Sequence, residues 1–578
     1  MIRLLRFLSP YKGRAAAMLL LLFLQVLGTL YIPTLTADIV NRGIVTGDLD
    51  HIWRVGGFML LAAILTAGVS VAVTYLTTWI FSIMGRDIRN ALFQKSQSLS
   101  LNEFNRFGTA SMITRCTNDI TQIQQAYMAA IEMLLPAPVM TVAGLILAFS
   151  KDTLLAFSII GAMLVVCLFA FLVSRKALPM FARLQSLLDR FTRVLRENLT
   201  GIRVIRAFNR SDSEKERVDQ TFTDYAETAI RINKIFAAMM PVILIIMNFC
   251  TLLIIGAGGQ RVAAGRMQIG DIMALIEYAM LILYYLIMGI MVFMIFPRAQ
   301  SCANRVSEVL SVQPEAPGTP RSHRDSNEAA SPARLELCNV TFQYQGAEEP
   351  VLNNISFSAH KGQTTAIIGG TGSGKSTVAS LIPRFYDIQS GTIRIDGRNI
   401  RHMPKRELRD KIGYVPQKAF LFSGTILDNF LHGKKDAGME EIRHAAQVAQ
   451  ISDFIDSLES GYQTCVSQGG SNFSGGQRQR LSIARALVKR PEIYIFDDSF
   501  SALDFKTDAR LRAALREEVR DAAVILVAQR ISTIMDADQI VVLDEGRVAG
   551  TGTHRELMES CQVYQQIAQS QLSEEELA

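Results

Sequence analysis

The chain has 578 residues, 49% of them hydrophobic and 19% charged, with a formal net charge of +6 and a mean hydropathy of +0.22. That length exceeds one ordinary domain, and so apolar a composition is high for a soluble protein. The seven cysteines are scattered with no C-x-x-C spacing, which argues against a disulfide framework or a zinc site.

Residues 1–13 set Arg3, Arg6 and Lys12 against Leu4, Leu5, Phe7 and Leu8, a pattern that predicts a short basic amphipathic helix at a membrane surface. Six uncharged runs follow, at 15–37, 55–85, 133–150, 153–174, 235–260 and 272–297, the last broken only by Glu277. Each reaches the roughly 18 to 20 residues needed to cross a bilayer core. The first is too long for the apolar stretch of a signal peptide and no A-x-A site closes it, so it is predicted to be a span.

Lys and Arg number 22 in 1–14, 86–132 and 175–234, against 5 in the three intervening connections. This positive-inside bias predicts a multi-pass protein of the plasma (bacterial inner) membrane, with the N-terminus and everything after the sixth span in the cytoplasm. The positive charge therefore faces the lipid bilayer rather than nucleic acid, and six spans exclude a soluble ATPase acting on DNA.

The connections 86–132 and 175–234 are too long and too helical in pattern to be plain loops, and are predicted to continue the spans into the cytosol as rods. Polar and aromatic residues break the first rod at 96–109 and the second at 200–210, where Phe208 is an exposed apolar anchor. These pieces either dock on a cytosolic motor or form solvated helical hairpins. Within the sixth span, Glu277 costs roughly 2.5 to 3.5 kcal/mol unless it finds water or a partner. It either lines a cavity that recognises a cationic group or snorkels to the outer surface. The Met and aromatic residues around it (Met280, Tyr284, Tyr285, Met288, Met291, Phe293, Met294) suit an adaptable binding wall or helix packing equally well.

Four prolines among Ser, Asp, Asn and Glu mark 312–333 as a linker between a membrane domain, 1–311, and an α/β domain, 334–578, with an acidic tail at 573–578. The fold class is thus multi-domain: an all-α six-helix transmembrane domain with long cytosolic extensions, then an α/β P-loop domain. Gly369, Gly370, Thr371, Gly372, Ser373, Gly374, Lys375 and Ser376 match G-x-x-x-x-G-K-[ST], with Thr377 following, between a β-type run at 364–368 and a helical one at 376–382. Backbone N–H groups and a helix N-terminus cradle a triphosphate in such a loop, Lys375 adds a full charge, and the Ser376 hydroxyl ligates Mg²⁺. ATP and Mg²⁺ are the expected cofactors.

Tyr344 ends a β-type run upstream, where it stacks on adenine or is a plain strand aromatic. Gln417 closes the strand at 412–416, within reach of Mg²⁺ and an attacking water. The strand at 493–497 ends in Asp497, a Walker-B carboxylate for the Mg²⁺ shell. Just before it, Ser474, Gly475, Gly476 and Gln477 open a helix and form a second anion site.

On these motifs, and on Asp504 in Ser501-Ala502-Leu503-Asp504, nearly the whole chain resembles the ATP-binding cassette (ABC) half-transporters of the exporter type. The resemblance implies coupling helices around 102–108 and 200–210. It also implies two nucleotide domains that close head to tail, each ATP lying between one subunit's phosphate loop and the other's signature turn. Two positions depart from the family. Asp498 stands where the catalytic glutamate is expected, and Gln529 where the histidine is expected. Asp498 is shorter by one bond, about 1.5 Å, and a misplacement near 1 Å can cost roughly 10²-fold in rate. Gln529 cannot carry positive charge.

The expected enzyme is an ATPase coupled to transport, slow at its own site, whose Ser474–Gln477 turn serves a site shared with a partner. That predicts a heterodimer with a second homologous half-transporter, resembling the degenerate-site subunit of bacterial multidrug exporters, moving drugs, lipids or peptides outward. With no peptidase-like segment ahead of the spans, a leader-cleaving peptide exporter is not expected. The alternative is a nucleotide-switched membrane regulator or channel that does not pump.

Overall fold

The structure is a computed structural model that describes residues 1–312 and 333–571. The chain forms two compact units, Met1–Gln97 with Gly108–Val312, and Ser98–Phe107 with Gln313–Ala578. Nearly all of the expected linker, the acidic tail, and the side chains of Phe293 and Met294 lie outside the described residues.

In the first unit, six helical stretches are long and apolar enough to cross a membrane: Ile2–Ile44, Leu49–Ser98, Thr109–Lys151, Thr153–Thr200, Ser211–Ala263 and Ile269–Ser311. Each apolar run of the sequence lies inside one of them. Leu49–Ser98 has 50 residues, so it is about 75 Å long, over twice the roughly 30 Å hydrocarbon thickness. The excess is the rod that the sequence predicts. The second break is the short helix Ile202–Ala207, followed by Phe208, which is 74% exposed.

The core of this unit is built on one face of the sixth helix, where Tyr278, Ile282 and Leu283 pack with Leu30, Met140, Ile159 and Ile254. The Tyr278 hydroxyl shares a 2.7 Å hydrogen bond with Thr34, which satisfies its buried polar atom. Toward the C-terminal end of that helix, Arg305 donates two hydrogen bonds, 2.8 and 2.6 Å, to the fully buried carboxylate of Asp119. Asp119 closes a π-helical turn, Arg115–Asp119, in the third helix. Such a turn carries an extra residue and re-aims the side chains around it. At the opposite end of the unit, Lys151 pairs with Asp271 at 2.8 Å and Arg261 with Asp152 at 2.5 Å.

Among its described residues the second unit has twelve strands: β1 Leu335–Phe342, β2 Leu352–Ala359, β3 Thr364–Gly369, β4 Ser390–Ile395, β5 Arg398–Asn399, β6 Ile412–Val415, β7 Gly424–Thr425, β8 Cys465–Val466, β9 Ile493–Asp497, β10 Ala523–Val527, β11 Gln539–Asp544 and β12 Arg547–Gly552. The six-stranded sheet has the order β12-β11-β3-β10-β9-β6, parallel except for β12 at its edge. β9 and β10 are buried along their whole length, which is why they read as unbroken apolar runs rather than alternating ones. A four-stranded sheet, β2-β1-β4-β5, and a β7-β8 pair complete the unit.

The first break in the rods forms the helix Leu101–Phe107, and its segment clusters with this second unit. The Asn102 amide donates to Gln345 at 3.0 Å and the Asn105 amide to the Tyr386 hydroxyl at 3.5 Å. Of the two readings left open by the sequence, docking on the nucleotide unit is the one observed for this piece.

Asp119→Ala should cost about 3 kcal/mol, the low end for breaking a buried pair, because the Arg305 side chain left behind is 43% exposed and can be solvated. Arg86→Ala, at an exposed, solvent-screened pair with Asp87, should leave the unfolding temperature essentially unchanged. Thermal unfolding of the purified protein in lipid nanodiscs separates the two.

Candidate functional site

Four neighbouring parallel strands, β6, β9, β10 and β3, end at one edge of the sheet. Their register sets Val415 beside Phe496, Asp497 beside Val527, and Val527 beside Ile367. The residues just beyond those ends are Gln417, Asp498, Gln529 and the loop from Gly369 to Gly374. Four stretches far apart in the chain therefore deliver their side chains to the same place, as ligand sites form at the carboxyl ends of parallel strands.

The loop between β3 and the helix Lys375–Leu381 owes its path to glycine. Gly374 has φ +94°, and a Cβ there would meet Leu352 Cδ2 at 2.4 Å; a Cβ on Gly369 would meet the Leu543 carbonyl oxygen at 2.1 Å. Lys375 Nζ donates to the Gly369 and Gly370 carbonyls at 2.8 and 2.6 Å. Its burial lowers its pKa, opposed by the charges of Asp498 and Asp497. The Ser373 hydroxyl is buried with no hydrogen-bond partner. A buried ammonium resting on backbone carbonyls beside an unsatisfied hydroxyl suits an incoming phosphate.

Ser376 Oγ donates to Asp497 Oδ1 at 2.8 Å, and the Tyr414 hydroxyl donates to Asp497 Oδ2 at 3.4 Å. Burial raises the pKa of Asp497, with the Ser376 hydroxyl opposing it. Burial, then the charge of Asp497, pushes Tyr414 up to about 12. The hydroxyl and carboxylate are hard oxygen donors that fit Mg²⁺, an ion that takes one or two protein oxygens and completes its shell with phosphate oxygens and water. Among the described residues no cluster of three or more His, Cys, Asp or Glu could hold a metal.

Asp498 sits directly after β9 in the left-handed region, φ 48°, with its N–H donating to the Val527 carbonyl at 2.9 Å. Its carboxylate is clasped from two sides. Gln417 Nε2 donates to Oδ2 at 3.1 Å, and Gln529 Nε2 donates to the same oxygen at 2.9 Å. The amide of Gln417 is thus engaged by Asp498 rather than by the Ser376–Asp497 pair. His554, the nearest histidine after Gln529 in the sequence, shares a 2.7 Å hydrogen bond with Tyr564 and is not part of this cluster.

Tyr344 joins the site through Thr377, hydroxyl to hydroxyl at 3.1 Å, with its ring edge-on to Phe342 and Tyr386. Ser474 caps the helix Gly475–Val488: its Oγ accepts from the Gln477 N–H at 3.3 Å, and Gln477 Oε1 accepts from the Ser474 N–H at 2.8 Å. Gly476 lies against the Ala502 carbonyl, and Asp504 caps the next helix through Thr507. No described hydrogen bond links the Ser474–Gln477 turn to this chain's own phosphate loop, and Phe208 belongs to the other unit.

Sequence reasoning passed over Tyr414 and the backbone role of Ser501, whose Oγ donates to the Asp498 carbonyl at 3.0 Å. A signal for Tyr414 was present, a hydroxyl in an otherwise apolar buried strand, which has to find a partner.

Comparison with known proteins bears on the family and the fold. Residues 16–295 match the family model for the ABC transporter transmembrane region, and 352–501 match that for the ABC transporter. The chain is 40% identical to an uncharacterized ABC transporter ATP-binding protein of Mycobacterium tuberculosis, over 98% of this chain and 97% of that one. It is 28% identical to the ATP-dependent lipid A-core flippase of Vibrio vulnificus, over 99% and 97%. Its structure is similar to that of a bacterial Atm1-family ABC exporter with ATP bound, with a TM-score of 0.79, 26% identity, and coverage of 97% of this chain and 99% of that one.

Gly374→Ala should weaken binding of a fluorescent ATP analogue at least tenfold, about 1.4 kcal/mol, because the new Cβ meets both a disfavoured φ and Leu352. Gly438→Ala, at an open helix start, should leave binding unchanged; equal affinities for the two variants would contradict this account of the loop.

Proposed function

The chain belongs to the ABC transporter family, as a six-helix membrane domain fused to an ABC ATPase domain, and from that membership we propose that it is one subunit of a heterodimeric, ATP-driven exporter. The membrane domain covers 1–311, the linker 312–333 and the cytosolic nucleotide domain 334–578. ATP binding closes two such nucleotide domains head to tail and turns the spans outward. Hydrolysis at the partner's complete site resets them. Phe208, exposed between two helices, docks on the partner subunit's nucleotide domain and conveys the movement.

The observation that carries the reading is the clasp at Asp498. A carboxylate one bond too short for the expected general base is held by two amides, Gln417 and Gln529, and neither can become positively charged. When bound, Mg²⁺ would supply charge neutralisation at the phosphates, and Ser376 with Asp497 would hold it. Gln417 orients Asp498, and Lys375 with the loop amides binds the phosphates. This site clasps MgATP and splits it slowly. A loss of roughly 10²-fold corresponds to about 2.7 kcal/mol of barrier. The Ser474–Gln477 turn keeps the geometry that the opposite site requires, so the chain is impaired in one role and competent in the other.

The flippase among its relatives supports an amphiphilic cargo, a lipid or a small molecule. ATP-dependent uptake of a dye into inverted membrane vesicles, abolished when the partner's catalytic glutamate is replaced, is the expected result. A nucleotide-gated conductance without accumulation would overturn the export reading. Asp498→Glu with Gln529→His should raise ATP turnover of the assembled complex by up to about twofold, the ceiling for adding one active site to one. A homodimer of this chain that already turns over ATP at the rate of the assembled complex would remove the division of labour.

A further inference from the structure

The sixth long helix has two unlike faces. Leu275, Tyr278, Ala279, Ile282 and Leu283 are buried in the core of the membrane unit. On the opposite stripe, at spacings of four, three, four and seven residues, stand Met273, Glu277, Met280, Tyr284 and Met291. The four neighbours of Glu277 on this stripe are 47%, 42%, 51% and 41% exposed, so nothing within the unit covers it. Its composition differs from that of a lipid-facing surface. The exposed face of the fourth long helix is dominated by Leu154, Phe157, Leu164, Leu168 and Phe171, with the thiol of Cys167 among them and no ionisable carboxylate or amine. The stripe on the sixth helix instead carries thioethers, a phenol and a carboxylate.

Glu277 stands eight residues after the helix start at Ile269, about 12 Å along its axis. It is half-buried, and among the described residues no side chain hydrogen-bonds or ion-pairs with it. Three of the five cations in the outer connections are committed elsewhere: Lys151 to Asp271, Arg261 to Asp152 and Arg42 to Asp38. An ionisable group inside a span marks a functional site by default, and this one lacks a counter-ion from its own unit.

We propose that this stripe is the substrate-facing wall of the exporter and that Glu277 selects amphipathic organic cations. Opposite charge is the complement a lone carboxylate requires, and in a weakly screened site the attraction is far stronger than in water. The ring of Tyr284 faces the same stripe and adds a cation–π surface. Unbranched, polarisable methionines accommodate apolar groups of varied shape. The inference rests on the export reading above.

The test uses the complex of this chain with its native partner, in inverted vesicles for transport and in nanodiscs for binding. The probes are tetraphenylphosphonium, a permanent cation, and triphenylphosphine oxide, a neutral molecule of similar aromatic bulk. The wild type should favour the cation. Glu277→Gln should raise its half-saturating concentration about tenfold or more, as expected for losing a desolvated charge partner, and leave the neutral probe within about twofold. Glu277→Asp, which keeps the charge, should retain the preference.

Equal affinity of the wild type for both probes, or a preference that survives Glu277→Gln, overturns the inference while ATP-driven uptake of either probe leaves the export reading standing. Loss of cation binding in Glu277→Gln with no ATP-driven uptake of either probe keeps the site and removes the export reading. A complex that loses thermal stability in Glu277→Gln and shows no cation preference in the wild type would assign Glu277 to a cation of the partner subunit and overturn the proposal. Should Glu277→Gln fail to assemble, the wild-type ratio and Glu277→Asp decide it: a ratio of one is a negative result.

Discussion

The site in the nucleotide unit depends on the common register of four parallel strands. β6, β9, β10 and β3 end level with one another, and Gln417, Asp497, Asp498, Gln529 and the start of the phosphate loop lie within two residues of those ends. A slip of one residue in β9 would turn Asp497 and Asp498 to opposite faces, because side chains alternate along a strand. The register is held by burial: β9 and β10 have no exposed residue, so displacing either would expose apolar side chains or strand polar backbone groups.

On that frame the two neighbouring carboxylates play different parts because their partners differ. Asp497 is buried beside Ser376 and Tyr414, both hydroxyls, which leaves oxygen atoms arranged for a divalent cation. Asp498 meets two primary amides on a single oxygen. Amides hold a carboxylate in place without titrating, which supports the proposed reading of this site as one that binds nucleotide more readily than it hydrolyses it. The left-handed backbone at Asp498 points the same way, since short polar Asp tolerates that conformation better than most residues.

The membrane unit shows a parallel separation of roles. Its polar groups are paired where the helices must hold together, at Arg305 with Asp119 and at Lys151 with Asp271. The unpaired carboxylate of Glu277 sits instead on a face that the unit leaves open. The short helix Leu101–Phe107 adds a polar contact, through Asn102 and Asn105, between a segment of the first rod and the nucleotide unit with which it clusters.

The sequence by itself determined the six spans, the phosphate loop, the Walker-B strand and the helix-opening signature, because each is written in consecutive residues. A bilayer requires an uninterrupted apolar length, and a triphosphate requires successive N–H groups from one short loop. The absence of a glutamate at 498 and a histidine at 529 was equally legible. Only the tertiary structure decided that Gln417 and Gln529, 81 and 31 residues from Asp498, meet on the same carboxylate oxygen. It also decided that Tyr414 supports Asp497, that residues 98–107 dock with the nucleotide unit, and that Glu277 has no counter-ion among the described residues. Those facts depend on which distant surfaces face each other once the sheet and the helices have packed, and local patterns of residue type carry no record of that.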